Sequence, residues 1–152
     1  MESGEFNCCA PAYGFSLVNG QLEINEAEAA VVQRIFSLYL HGVGKQSIAN
    51  MLNADGICRN HGRDKWYEFT IDYILNNERY MGDALLQKSF TTESLPFKKV
   101  RNIGQQPQYY VENSNPAIVS RETYAAAQEL QKQRSTGAGQ KKSTCTLTGI
   151  LR

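Results

Sequence analysis

The dipeptide Asn19-Gly20 separates two short runs of alternating polarity, Tyr13 to Val18 and Gln21 to Ile24, and an uninterrupted amphipathic run follows at once. A two-residue connection whose central residues both need positive φ suits Asn-Gly, so this stretch predicts a type I′ β-hairpin. Asn25 then stands as a helix N-cap, with Glu28 three residues on as its reciprocal capping partner. The run after it repeats apolar residues at helical spacing, Val31, Ile35 and Leu38 beside Val32, Phe36 and Tyr39, and Gly42 is placed to end it. So broad an apolar face is a core element.

The stretch GKQSIANMLNADGI predicts a second, shorter helix with Ile48, Ala49, Met51 and Leu52 inward and Gly56 as its stop. Small Ala49 lets a following helix cross closely. After the polar, basic link CRNHGRDK comes KWYEFTIDYILNNERYMGD, a third helix over about Glu68 to Asn77. Ile71, Ile74 and Leu75 share its inner face, and Phe69, Tyr73 and Asn76 face away, flanked by Thr70, Asp72 and Asn77. Trp66 reads as the anchor of this helix in the core. GDALLQK reads as a strand, YYVEN as its returning partner, and Ser89 to Gln108 between them as a long mobile loop. Ser120 caps a last helix through about Arg134, with Tyr124, Ala127 and Leu130 or Gln131 inward. The expected fold class is therefore α+β: mainly helical with a helix-turn-helix-like pair, an N-terminal β-hairpin and a small antiparallel β element. By domain, residues 1–10 read as a flexible N-terminus, 11–134 as the folded unit, and 135–152 as a linker, since STGAGQKKS has linker composition and the apolar end TCTLTGILR has nothing left to pack on.

Charge narrows the function classes. The formal net charge is only +1, but residues 1 to 41 carry five acids against the single base Arg34, and the remainder carries 15 bases against 10 acids. A polyanion partner would meet the later part of the chain; an ordinary solvated surface accounts for the same numbers. No apolar run is long enough for a membrane span, and the acidic N-terminus lacks the basic and apolar segments of a secretory signal, which points to the cytoplasm. Of the four cysteines, at 8, 9, 58 and 145, none pairs as Cys-x-x-Cys. Cys58 and His61 have a ligand-like spacing without a second ligand pair, so reduced thiols are the better reading and no metal or other cofactor is expected. Ser47 and Ser120 stand at helix starts, where capping explains them better than nucleophilic activation.

Two short helices in series, the second with a polar and aromatic outer face, follow the order of a helix-turn-helix, although the link between them is longer than usual. Nearly the whole chain, from about Pro11 to Leu151, resembles the recombinase domain of large serine recombinases, the resolvase and integrase proteins of phages and mobile elements. The resemblance is carried jointly by the Tyr-Gly entry at Tyr13, the Ile-Ala-x-x-Leu-Asn helix from Ile48, the Ile-Leu-x-Asn-x-x-Tyr-x-Gly element from Ile74 and the Asn-Pro-Ala-Ile-Val turn from Asn115. It implies a catalytic serine domain before this segment and a zinc ribbon after it, neither within this chain. The family's recombination, through a 5′-phosphoserine link without cofactor, would then lie outside these residues.

On that reading the partners are double-stranded DNA and other recombinase subunits, with no membrane and no small-molecule substrate, in the cytoplasm of a bacterial host. Phosphate contacts are expected from Lys45, Gln46 and Ser47 at the start of the second helix, from Arg59, Arg63, Lys65 and Arg79, and from the loop cations Lys98, Lys99 and Arg101, which would follow the backbone or enter the minor groove. Base-edge contacts are expected from Thr70, Tyr73, Asn76 and Asn77, with helix termination as the competing role of Asn77. Asp72 stands out as a negative charge on the expected DNA face. Two other classes remain open: an interaction module using Phe69, Tyr73 and the last helix, and a free-standing helix-turn-helix regulator.

Overall fold

The computed structural model describes residues 11–59 and 65–138. The hairpin forms as expected, with β1 (Phe15–Val18) antiparallel to β2 (Gln21–Ile24) and Val18 opposite Gln21. Asn19 and Gly20 close it at φ 50° and 79°, the positive values that select this dipeptide. Only Phe15 and Leu22 of the hairpin are buried, so it covers the core through one face.

Four helices follow: α1 (Glu26–Leu40), α2 (Lys45–Ala54), α3 (Glu68–Leu75) and α4 (Arg121–Ala138). Helix α1 buries Ala29, Val32, Ile35, Phe36 and Tyr39, a stripe at three- and four-residue spacing. Its expected capping box is not formed. Asn25 makes no side-chain cap bond, and the Glu28 carboxylate instead accepts the backbone N–H of Gly14 at 2.8 Å, tying the hairpin entry to α1. The acids Glu26 and Glu28 still favour the positive N-terminal end of the helix dipole. Gly42 and Gly56 end α1 and α2 at φ 95° and 69°. In α2, Ile48, Ala49 and Leu52 are buried, whereas Met51, expected inward, is exposed: it lies beyond the edge of a stripe only two residues wide. Ser120 caps α4 as expected, accepting the N–H of Thr123 at 3.1 Å, and the helix continues past Arg134 to Ala138.

Helix α4 braces the other helices from its exposed and inner sides. Gln128 donates to the carbonyl of Leu75 at the end of α3 at 2.6 Å, and Arg134 donates to the carbonyl of Gly42 at 2.7 Å while lying over the Tyr39 ring. Ahead of it, the segment Asn115–Val119 is held by a 3-10 helix, Glu78–Met81: Ile118 and Val119 both donate to the carbonyl of Tyr80. The Tyr80 ring is fully buried beside Phe15 and Phe36, and its hydroxyl donates to the carbonyl of Tyr13 at 2.8 Å. Burial raises this phenol well above its ordinary pKa, so it stays a neutral donor.

The second β element corrects the loop expectation. Strand β3 (Ala84–Leu86) pairs with β6 (Tyr109–Val111) as anticipated, but within Ser89 to Gln108 a further antiparallel pair forms, β4 (Ser89–Thr91) with β5 (Lys99–Arg101). Asn102 organises the crossover. It is buried, its amide donates to the carbonyls of Gln87 and Gln106, its side-chain oxygen accepts from Gly104 and Gln106, and its N–H bonds Lys88. One asparagine thus satisfies backbone groups left open where the two-residue link 87–88 faces the longer link 102–108.

Candidate nucleic-acid interface

Trp66 fixes where α3 begins. It is 1% exposed, its indole N–H donates to the carbonyl of Ile57, and the Asn53 side chain at the end of α2 accepts its N–H and donates to its carbonyl, both at 2.8 Å. Tyr13 packs edge-on against the indole. The α2–α3 link is long, yet its end is clamped to α2 by one amide. The core-anchor reading of Trp66 therefore holds geometrically.

The inner stripe of α3 is Thr70, Ile71, Ile74 and Leu75. Thr70, expected at the outer edge, is 5% exposed, and its hydroxyl accepts from Arg59 at 3.1 Å. It lies one turn before Ile74, and the i, i+4 relation carries it inward. Asn77 is buried as well. It caps the 3-10 helix, its side-chain oxygen accepting the N–H of Arg79 at 3.3 Å, which is close to the competing terminus role. The chain turns at Asn76, so the face of α3 does not extend to residue 77.

The outer face retains Phe69, Tyr73 and Asn76, with Tyr67 just before it. Phe69 and Tyr73 are 68% and 62% exposed, and Tyr67 stacks on Phe69 with ring centroids 5.5 Å apart. Lys45, at the first turn of α2, forms an ion pair with Asp72. Asn76 also donates to the Asp72 carboxylate at 3.1 Å and to its backbone carbonyl at 2.8 Å, and the residue itself is exposed. The negative charge flagged on this face is therefore matched by a cation from α2, and the two helices are joined across it.

Of the other expected contacts, Gln46 and Ser47 are exposed at the start of α2, and Lys65 is exposed before α3. Arg59 is half-buried and engaged with Thr70, and Arg79 is half-buried beneath Asn115, which donates to its carbonyl. Arg63 and His61 lie outside the described residues, as do Cys8, Cys9 and Cys145. Lys98, Lys99 and Arg101 are exposed on the β4–β5 ribbon, a separate surface element from α3. Cys58 is a free, exposed thiol, and among the described residues no group of His, Cys, Asp or Glu could hold a metal ion. No helix among them is long and apolar enough to cross a membrane.

Two surface features were not singled out by residue type. Tyr67 enters the exposed aromatic stack, and Leu95, Phe97 and Ile103 stand uncovered on the β4–β5 ribbon. The available signal was an apolar Leu-Pro-Phe set among polar residues directly before Lys-Lys.

Comparison with known proteins agrees with this architecture. A family model described as Recombinase matches residues 26–134. Two solved structures share the fold at 16% identity. One is a crystal structure of an LSR–DNA complex, at TM-score 0.55, covering 86% of this chain and 34% of that one. The other concerns sequence requirements of the Listeria innocua prophage attP site, at TM-score 0.57, covering 91% of this chain and 49% of that one. This chain thus spans between a third and a half of the length of those proteins. The fold and its uncovered helix face define a mainly helical α+β domain with three short antiparallel strand pairs among the described residues. The chain belongs to the Recombinase family, in agreement with the resemblance its motifs carry to the recombinase domain of large serine recombinases.

Proposed function

We propose that residues 11–138 form the sequence-specific DNA-binding domain of a site-specific serine recombinase, with the reacting serine elsewhere in the parent protein. The observation that carries this reading is the outer face of α3: Phe69, Tyr73 and Asn76 are exposed on a helix otherwise clamped by Trp66 and Asn53. A rigid helix with such a face suits the major groove, where Asn and Tyr meet base edges and aromatic carbon meets thymine methyls. Gln46, Ser47 and Lys65 flank it for phosphate contacts. The DNA-bound state of one similar structure supports the same assignment.

The test is selection of duplexes from a randomised pool, followed by binding measurements across a salt series. Sequence-dependent binding that weakens with salt is expected, Asn76→Ala relaxing the sequence choice and Lys98→Ala chiefly lowering the salt slope. Equal, weak binding to every duplex would instead favour a protein partner for the exposed Tyr67–Phe69 stack.

A further inference from the structure

The β4–β5 ribbon ends in an apolar point. Its paired residues Thr91 and Lys99 are followed by Thr92 and Lys98, which close the tip: Thr92 donates to the Lys98 carbonyl, and Lys98 donates to the Thr92 hydroxyl, both at 2.9 Å. Beyond this closure the loop Glu93–Phe97 carries Leu95, 81% exposed, and Phe97, 64% exposed, with Pro96 between them. Hydrophobic side chains this far out on a two-stranded arm have no partner within the described fold. Exposure alone does not say what covers them, but the charge beside them does.

From Gln87 to Gln108 the ribbon carries Lys88, Lys98, Lys99 and Arg101 against the single acid Glu93. Lys88 is engaged with Glu78, leaving the three other cations on the strand that returns from the tip. Alternation along β5 puts Lys99 and Arg101 on one side and Val100 on the other, so the basic side can follow a phosphate backbone while the tip points past it. At its base, the ribbon is held by the bonds of buried Asn102. Leu, Pro and Phe offer no hydrogen bonds for reading the polar edges of the major groove. They are the side chains that part stacked base pairs from the minor groove, at a cost met by backbone contacts on the bent duplex.

We infer that the β4–β5 ribbon is a minor-groove arm of this chain, in which Leu95 and Phe97 wedge into a base step and bend the duplex while Lys98, Lys99 and Arg101 hold the adjoining phosphates. The inference rests on the DNA-binding reading above and adds a second contact, separate from α3.

The probe is a duplex recovered in the selection, placed at different points of equal-length fragments so that bending alters gel mobility. The wild-type chain is expected to bend it by roughly 20° or more. It should also bind about tenfold more tightly when a single mismatch weakens stacking at the bent step. Leu95→Ala with Phe97→Ala should keep the selected sequence preference but lose both the bend and the mismatch advantage, and Phe97→Trp should retain them. A straight wild-type complex, or undiminished bending by the double variant, overturns the wedge while leaving sequence-specific binding intact. Recovery of no preferred duplex overturns the DNA-binding reading and the wedge with it.

Discussion

Lys45 on the first turn of α2 pairs with Asp72 on the outer face of α3, so a carboxylate beside the uncovered side chains Phe69, Tyr73 and Asn76 is answered by a cation from the preceding helix. The pair also sits beside the candidate base reader, because Asn76 donates to the same carboxylate. Asp72 is thus a link between helices, and its charge is not presented alone to a polyanion.

Replacing that carboxylate separates stability from binding. Both partners remain partly exposed, with side-chain accessibilities of 24% and 49%, so Asp72→Asn should change the unfolding free energy by less than about 1 kcal/mol. It leaves the Lys45 ammonium available to a phosphate, and the slope of log K against log salt should steepen by about 0.9. Fluorescence anisotropy across a salt series reads the slope and urea denaturation reads the stability; an unchanged slope would place Lys45 away from the DNA.

The Asn53 clamp predicts a larger effect on folding. Asn53→Ala removes both side-chain bonds to the backbone of Trp66 and leaves that N–H and carbonyl in a largely buried place. A loss of about 2–3 kcal/mol is expected. The chain has one tryptophan, so urea unfolding followed by Trp66 emission reports on this clamp directly. A midpoint unchanged from wild type would mean that the α2–α3 link is held by other contacts.

Gly14 marks a close approach between the hairpin entry and α1. Its φ is 94°, and a Cβ there would stand 2.9 Å from Ile118 Cδ1 and 3.3 Å from Val32 Cγ2. Gly14→Ala combines backbone strain with overpacking and should cost about 2–4 kcal/mol. Thermal melting checks this, with Gly20→Ala as the comparison: it shares a positive φ, but nothing lies within 4 Å of its added methyl, and its loss should be smaller.

A third prediction of stability concerns pH. Asp83 is fully buried and accepts from the Tyr110 hydroxyl, from the N–H of Asn113 and from Arg121. The Tyr110 bond, with help from Asn113 and Arg121, holds its carboxyl below the usual range although burial acts the other way. Its contribution is therefore present above the unfolded value of about 3.9 and disappears as pH falls through the lower folded value. The hydroxyl of Tyr110 is pushed up to about 12, so its contribution is present below its unfolded value of about 10 and fades as pH rises toward 12. Asp83→Asn should lose about 2–3 kcal/mol at pH 7 and less at pH 3, below the unfolded value, as measured by urea midpoints at the two pH values. An equal deficit at both would show that the carboxylate charge is not what the network uses.

Local chemistry made much of the fold legible. Asn19-Gly20 determined the hairpin because few dipeptides accept two positive φ values, and apolar spacing with Gly42 and Gly56 delimited α1 and α2. Ser120 announced α4, and Trp66 announced the core contact of α3, since each role depends on a residue's own shape and donors. Partners distant in the chain were not legible in this way. Glu28 serves Gly14 across the hairpin, Asp72 meets Lys45 from another helix, and Asn102 turns an expected mobile loop into a paired ribbon. Thr70 went inward because it lies one turn before Ile74 on the buried stripe of α3, and Asn77 because the chain has already turned into the 3-10 helix that it caps. The sequence determined which segments could be helix, strand or turn, since those preferences act over a few residues. Only tertiary packing decided which polar groups were consumed inside the domain and which, on the face of α3 and the tip of the ribbon, were left for a partner.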